Sequence, residues 1–206
     1  DFYGTRIGGV PGNETSIGVL KNGDKWIAGM DGRGIYRLTP TQKFNFAGKE
    51  NFFLQNTISL LTDSKGIVWA GSKRQGICMI KGNNITYFNE SNGLPDNTVT
   101  NIYEDKDHRI WAATEKGLSY FDNNAFNKVA FNDGVISENI KGIIQDDQKR
   151  YWVTTDNGIV VLAPKEKTTK TWNIDNYEIN TLGKQDGLLN ASFTQGSIMI
   201  NSKNEL

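Results

Sequence analysis

Along most of the chain apolar and polar residues alternate in short runs, as in "NTISLLTD", "NTVTNIYED" and "ENIKGIIQD", and clusters of Asp, Asn, Ser, Lys and Gly break the runs. An alternation of period two puts successive side chains on opposite faces of an extended strand. No segment shows a convincing recurrence of apolar residues at three and four, so the pattern predicts strands and turns and no helix.

The pattern also repeats. "KNGDKWIAGMDGRGIYRL", "DSKGIVWAGSKRQGICMI", "DKDHRIWAATEKGLSYF" and "DDQKRYWVTTDNGIVVL" align on Trp26, Trp69, Trp111 and Trp152, which stand 43, 42 and 41 residues apart. Each copy reads as two hairpins. An alternating strand leads into a polar turn ("DSKG", "DKDH", "DDQK") where Asp bonds its own backbone. A Trp-bearing strand follows, then a second turn ending at Gly34, Gly76, Gly117 or Gly158, then an apolar strand ("IYRL", "ICMI", "LSYF", "IVVL"). A more variable segment such as "NNITYFNESNGLPDN" supplies the fourth strand and the connection onward. Four short antiparallel strands in every roughly 42 residues predict an all-β fold built of propeller blades. The four tryptophans are then core residues between neighbouring sheets, and the four glycines supply the positive φ of tight turns.

The ends carry incomplete units. "FYGTRIGGV" resembles "WAATEKGLS", with Phe2 in the Trp slot but only 24 residues before Trp26. "NASFTQGSIMINSKNEL" reads as an inner strand and first turn of a further unit. Residues 1–206 are therefore expected to form a single partial propeller region of about four clear repeats, closed through further sequence or a partner copy because open sheet edges are a liability.

Charge and composition exclude several function classes. The 23 basic and 23 acidic residues balance, so no nucleic acid partner is expected of this segment. No apolar run approaches the roughly 18 residues that cross a bilayer, so a membrane would be reached only through a span outside this chain. The single Cys78 has no partner for a disulfide and no Cys/His cluster has metal spacing, so neither metal nor cofactor is expected. A Gly-x-Ser-x-Gly elbow and a phosphate-cradling loop before a helix are both absent; no catalytic residue is assigned, and the segment is not expected to be an enzyme. The only histidine, His108, falls in the turn slot that Gly66 fills one copy earlier. With Asp105 or Asp107 as its orienting carboxylate and no pocket, it reads as a solvated turn residue and not a general base.

The order Asp, turn, aliphatic, Trp, small residue, Gly or Ala, Thr or Ser, then Gly and Leu or Ile stands here as "DSKGIVWAGSKRQGI", "DKDHRIWAATEKGL" and "DDQKRYWVTTDNGI". It resembles the two-component regulator propeller repeat, and "SNGLPDNTV" (91–99) is similar to that family's usual start of a new blade. The resemblance covers residues 16–164 well and both ends weakly. Met30 and Ser72 replace the usual Thr, and Ala113 and Thr154 the usual Gly. The resemblance implies part of a seven-bladed propeller, the second of two, in the periplasmic sensor region of a hybrid two-component regulator of Bacteroidetes. A membrane span, a histidine kinase and a DNA-binding module would lie elsewhere in a parent protein that signals as a homodimer by phosphorelay. It also implies an oligosaccharide or another small molecule from glycan breakdown as ligand, although a scaffold motif identifies a fold and not a ligand.

In a propeller the loops from second to third strand share one face, around the central channel, with those leading into the first strand. Residues there that differ between units are the binding candidates: Arg33, Arg74, Gln75, Glu115, Lys116, Asp156 and Asn157. Arg, Asp, Asn and Gln offer paired hydrogen bonds to sugar hydroxyls, and Arg or Lys could hold an acidic sugar. Two alternatives remain open at this point, a propeller lyase or hydrolase acting on a carbohydrate, and a protein-interaction scaffold.

Overall fold

The computed structural model describes residues 14–19, 25–29, 35–39, 41, 43–45, 56–131, 137–165, 172–196 and 198. Arg33, Gly34 and the unit around Phe2 lie outside these residues. The described strands form four antiparallel sheets of four, each a meander in chain order. Blade 1 holds β1 (Glu14–Val19), β2 (Lys25–Gly29), β3 (Ile35–Leu38) and β4 (Lys43–Asn45), and blade 2 holds β5 (Thr57–Thr62), β6 (Val68–Ser72), β7 (Ile77–Lys81) and β8 (Asn84–Phe88). Blade 3 runs through β9 (Val99–Glu104), β10 (Ile110–Thr114), β11 (Gly117–Asp122) and β12 (Ala125–Lys128). Blade 4 runs through β13 (Ile140–Gln145), β14 (Tyr151–Thr155), β15 (Gly158–Pro164) and β16 (Tyr177–Leu182). The expected blades are thus present, and helix is confined to short 3-10 turns among the described residues. β1 packs on β5, β5 on β9 and β9 on β13, so the first strand of each blade is the innermost.

The core lies between blades. Trp26 and Ile35 of blade 1 cluster with Leu60, Val68 and Cys78 of blade 2. Trp69 and Phe88 of blade 2 cluster with Leu94, Val99 and Phe126 of blade 3, and Trp111 and Leu118 of blade 3 with Ile143, Tyr151 and Leu162 of blade 4. Trp26, Trp69 and Trp111 are buried as expected. Trp152 corrects the expectation: it is half-buried, and among the described residues the group lying over its ring is the Arg150 guanidinium, 5.2 Å from the centroid. A cation on the ring face is a contact suited to a half-wet aromatic.

The aspartate that opens each first turn does more than shape it. One carboxylate oxygen of Asp63, Asp105 and Asp146 accepts two backbone N–H bonds from its own turn. The other accepts the indole N–H of Trp69, Trp111 and Trp152, at 2.9, 2.8 and 2.8 Å. Each acid therefore ties a turn to the tryptophan of the next strand, and Asp63 and Asp105 satisfy indole donors that burial would otherwise strand. Asp105 also accepts from Tyr151 of blade 4 at 2.8 Å, which joins two blades. At the second turns Gly76, Gly117 and Gly158 have φ of 82°, 131° and 120°. Gly76 is tighter than Gly117, since a Cβ there would stand 2.0 Å from the Phe88 carbonyl oxygen.

Candidate functional site

Because each blade is a four-strand meander, its second turn and its lead-in segment fall at the same end of the sheet, and its first and third turns at the other. Backbone bonds fix the first pair together: Lys73 N–H donates to Asn56, Glu115 to Thr98 and Asp156 to Asn139, at 3.0 to 3.2 Å. The Thr98 hydroxyl of blade 3 donates to the Lys73 carbonyl of blade 2 at 2.7 Å, which links the turns of successive blades.

Each innermost strand carries a bulge at this same end. The register slips between Glu14 and Ser16, Thr57 and Ser59, Ala113 and Thr114 (opposite Val99), and Ile140 and Gly142. Thr15, Ile58, Thr100 and Lys141 are the extra residues. Bulges re-aim side chains and are enriched beside functional sites and at rims; here they stand at the same end of four adjacent innermost strands, where the mouth of a propeller channel is expected. The extra residues make contacts a regular strand would not. Thr100 Oγ1 donates to the Ile140 carbonyl at 2.6 Å, Lys141 Nζ to Asn139 Oδ1 at 2.9 Å, and the Ile58 carbonyl accepts from Gln195 Nε2, 137 positions away, at 2.9 Å. Gln195 belongs to the segment after blade 4, whose Gly196 N–H bonds Lys141 of β13. That segment therefore touches both blade 4 and blade 2.

Six of the seven sequence candidates fall at this end, and Arg33 lies outside the described residues. Arg74, Glu115, Lys116, Asp156 and Asn157 are exposed and Gln75 is half-buried. Two are held in place. Lys116 Nζ pairs with Asp96 at 2.7 Å, and Asn139 bridges Lys141 to Asp156, donating to the carboxylate at 3.1 Å. Burial works to raise the Asp96 pKa, but the bonds from Lys116 and Thr98 outweigh it and hold the carboxyl below its ordinary value. The structure thus places the six on one face.

Sequence reasoning missed Lys73, Lys141 and Gln195. The bond pattern makes Lys73, and not Arg74, the counterpart of Glu115 and Asp156. Blade 2 has one more residue in this turn, which shifts a count made back from the glycine. The slot thus reads Lys, Glu, Asp around the mouth, a change of charge sign from blade 2 to blades 3 and 4.

Catalytic readings find little chemistry. His108 is exposed and sits at φ 62° in the slot where Gly66 has φ 79°, as expected for a turn residue. Its carboxylate neighbour is neither Asp105, used by turn and tryptophan, nor Asp107, paired with Lys149 at 3.1 Å; it is Glu104, at 3.1 Å. Ser64 Oγ lies 3.0 Å from His108 Nδ1 and 2.6 Å from Glu104 Oε1. Ser, His and Glu meet, but hydroxyl and carboxylate approach the same ring nitrogen, whereas a proton relay needs one on each. Burial pushes the Cys78 thiol up to about 12, so it is not a nucleophile at neutral pH. Among the described residues no group of three or more His, Cys, Asp or Glu could hold a metal.

Residues 93–116, from the lead-in of blade 3 through its second turn, match the family model described as two component regulator propeller. These residues are similar to a two component regulator propeller repeat. No curated protein sequence matches the chain. Among solved structures, the chain is similar to the extracellular domain of the putative hybrid two component system BT3049 from B. thetaiotaomicron, with a TM-score of 0.77 at 20% identity over 93% of this chain and 26% of that one. It is also similar to the extracellular domain of the putative one component system BT4673 of the same organism, with a TM-score of 0.62 at 17% identity over 83% of this chain and 24% of that one. Virginiamycin B lyase from Staphylococcus aureus follows at a TM-score of 0.59 and 12% identity, over 82% of this chain and 55% of that one. At these identities the likeness shows the propeller fold alone. The chain spans about a quarter of the length of these two extracellular domains. No helix among the described residues is long and apolar enough to cross a membrane.

Proposed function

We propose that this chain is a ligand-sensing segment of a propeller in the periplasmic region of a two-component regulator, and that it recognises an oligosaccharide or related glycan fragment without changing it. The observation that carries the reading is the bulged end of the innermost strands, where equivalent backbone bonds hold Lys73, Glu115 and Asp156 in the second turns of blades 2, 3 and 4, the Glu115 turn falling within the matched residues 93–116. A rigid frame with side chains that vary from blade to blade suits polar recognition of sugar hydroxyls, with Lys73 and Arg74 at the blade 2 side available to an acidic sugar. Kinase chemistry, signal passage, dimerisation and closure as a seven-bladed ring belong in this reading to the rest of the parent protein.

Thermal unfolding with product analysis separates this reading from that of a propeller enzyme. A glycan at about 100 times its dissociation constant should stabilise the folded state by about 2.7 kcal/mol and be recovered intact. Charge reversal at Lys73 and Glu115 should remove the shift. Turnover of the glycan would favour the enzyme, and the absence of any shift across neutral and acidic oligosaccharides would refute the sensing reading.

A further inference from the structure

Three asparagines in the chain precede a glycine: Asn22, Asn92 and Asn157. The pairing matters chemically, because a glycine carries no side chain to shield its amide nitrogen, which lies next to the side-chain carbonyl carbon of the asparagine before it. Asn22 lies outside the described residues. Asn92 and Asn157 are both exposed, so access of water does not separate them, but their hydrogen bonds do.

Asn92 is built into a cap. It ends the short 3-10 turn Glu90–Asn92, and its Oδ1 accepts the Asn89 N–H at 3.2 Å. The Gly93 N–H that would have to attack it donates to the Glu90 carbonyl at 3.3 Å. The backbone has no room to swing, since at φ 95° Gly93 lies so close to β12 that a Cβ would stand 1.8 Å from the Phe126 carbonyl oxygen. Both reacting groups are therefore engaged in a segment that cannot rearrange.

Asn157 stands in the second turn of blade 4, at the bulged end. The Thr155 hydroxyl fixes the turn's backbone, accepting from the Asn157 N–H and donating to the Gly158 carbonyl, each at 3.0 Å. Those bonds leave the side chain out. Asp156 is held by Asn139 at 3.1 Å, but the Asn157 side-chain amide has no hydrogen-bond partner among the described residues.

We infer that Asn157 is a site of spontaneous deamidation, at which the Gly158 amide nitrogen attacks Cγ of Asn157. A C–N bond forms, and the side-chain nitrogen leaves as ammonia with the proton given up by the Gly158 amide. Water then opens the cyclic imide to aspartate or isoaspartate, with nothing oxidised or reduced. Either product puts a second carboxylate beside Asp156, which disfavours an anionic ligand at the blade 4 turn. The isoaspartate also routes the main chain through the former side chain and lengthens the turn by a methylene. The chemistry needs only water, so the inference is independent of the glycan reading.

Incubation of the native protein in mildly alkaline buffer, with peptide mapping by mass spectrometry and isoaspartate detection over time, tests it. Asn157 should convert about tenfold or more faster than Asn92. The ratio should fall to near unity when the protein is unfolded in urea, where only the shared Asn-Gly sequence remains. Asn157→Gln, whose ring would have to close with an extra methylene, should silence the signal at that site and leave Asn92 as it was. An Asn157 that stays intact while the unfolded protein converts, equal native rates at the two sites, or a ratio that urea leaves unchanged would overturn the assignment.

Discussion

Asp105 joins more of the structure than any other turn acid, and its removal should show it. The carboxylate accepts the Asp107 and Arg109 N–H groups at 2.9 Å each, the Arg109 guanidinium at 3.1 Å, and the Trp111 indole and Tyr151 hydroxyl at 2.8 Å each. Asp105→Ala leaves the indole and the phenol without an acceptor in a region closed to water. Each stranded donor costs about 1–3 kcal/mol, so the loss is about 2–6 kcal/mol. Asp146→Ala makes a useful contrast. It frees the same kind of turn and indole, but Trp152 is half-buried, so water can replace its bond, and about 1.5 kcal/mol is expected. In a domain of this size each kcal/mol moves the melting temperature by about 2–4 °C. Urea denaturation of both variants, together with Tyr151→Phe and the Asp105→Ala, Tyr151→Phe pair, isolates the cross-blade term. Equal losses from Asp105→Ala and Asp146→Ala, or strict additivity of the pair, would refute the reasoning.

Other consequences follow from the same structure. Burial works to raise the pKa of Asp96, Glu104 and Asp146, but bonds from Lys116, Ser64 and the Trp152 and Arg150 groups respectively outweigh it, and all three titrate below their ordinary values. Their folded-state pKa values are depressed, so their stabilising contribution is complete above the ordinary carboxylate range, about pH 4, and is lost as pH falls through the lowered values. Acid titration of the unfolding free energy should show this fall, and Asp146→Asn should flatten it. Gly76→Ala forces a Cβ to 2.0 Å from a carbonyl oxygen at φ 82° and should cost more than Gly82→Ala, where the added atom meets nothing within 4 Å; chemical denaturation of the pair measures the difference. Cys78 should resist thiol reagents at pH 8 until the protein is unfolded, as followed by mass spectrometry.

Repetition made most of the fold legible. The Trp register and the second-turn glycines recur in every unit, so strand order and three buried tryptophans follow from alignment of the copies alone. The aspartates were visible as turn formers, but their second bond, to an indole six residues on, depends on how strand and turn fold back together. The bulges left no mark in the alternation, because an extra residue is defined only against the partner strand. Lys73 was hidden by the longer turn of blade 2. The identity of the fourth candidate tryptophan as a half-wet residue depends on its neighbours in space and not on its slot.

The central claim is that the channel mouth, and not the opposite face, receives the glycan. Hydrogen–deuterium exchange of the protein with and without the oligosaccharide that gives the largest thermal shift tests it directly. The account predicts added protection in residues 72–76, 114–117 and 155–158 and in the lead-in segments bonded to them, with the first turns at 63–66, 105–108 and 146–149 unchanged. Protection confined to those first turns, or to neither set, would contradict it.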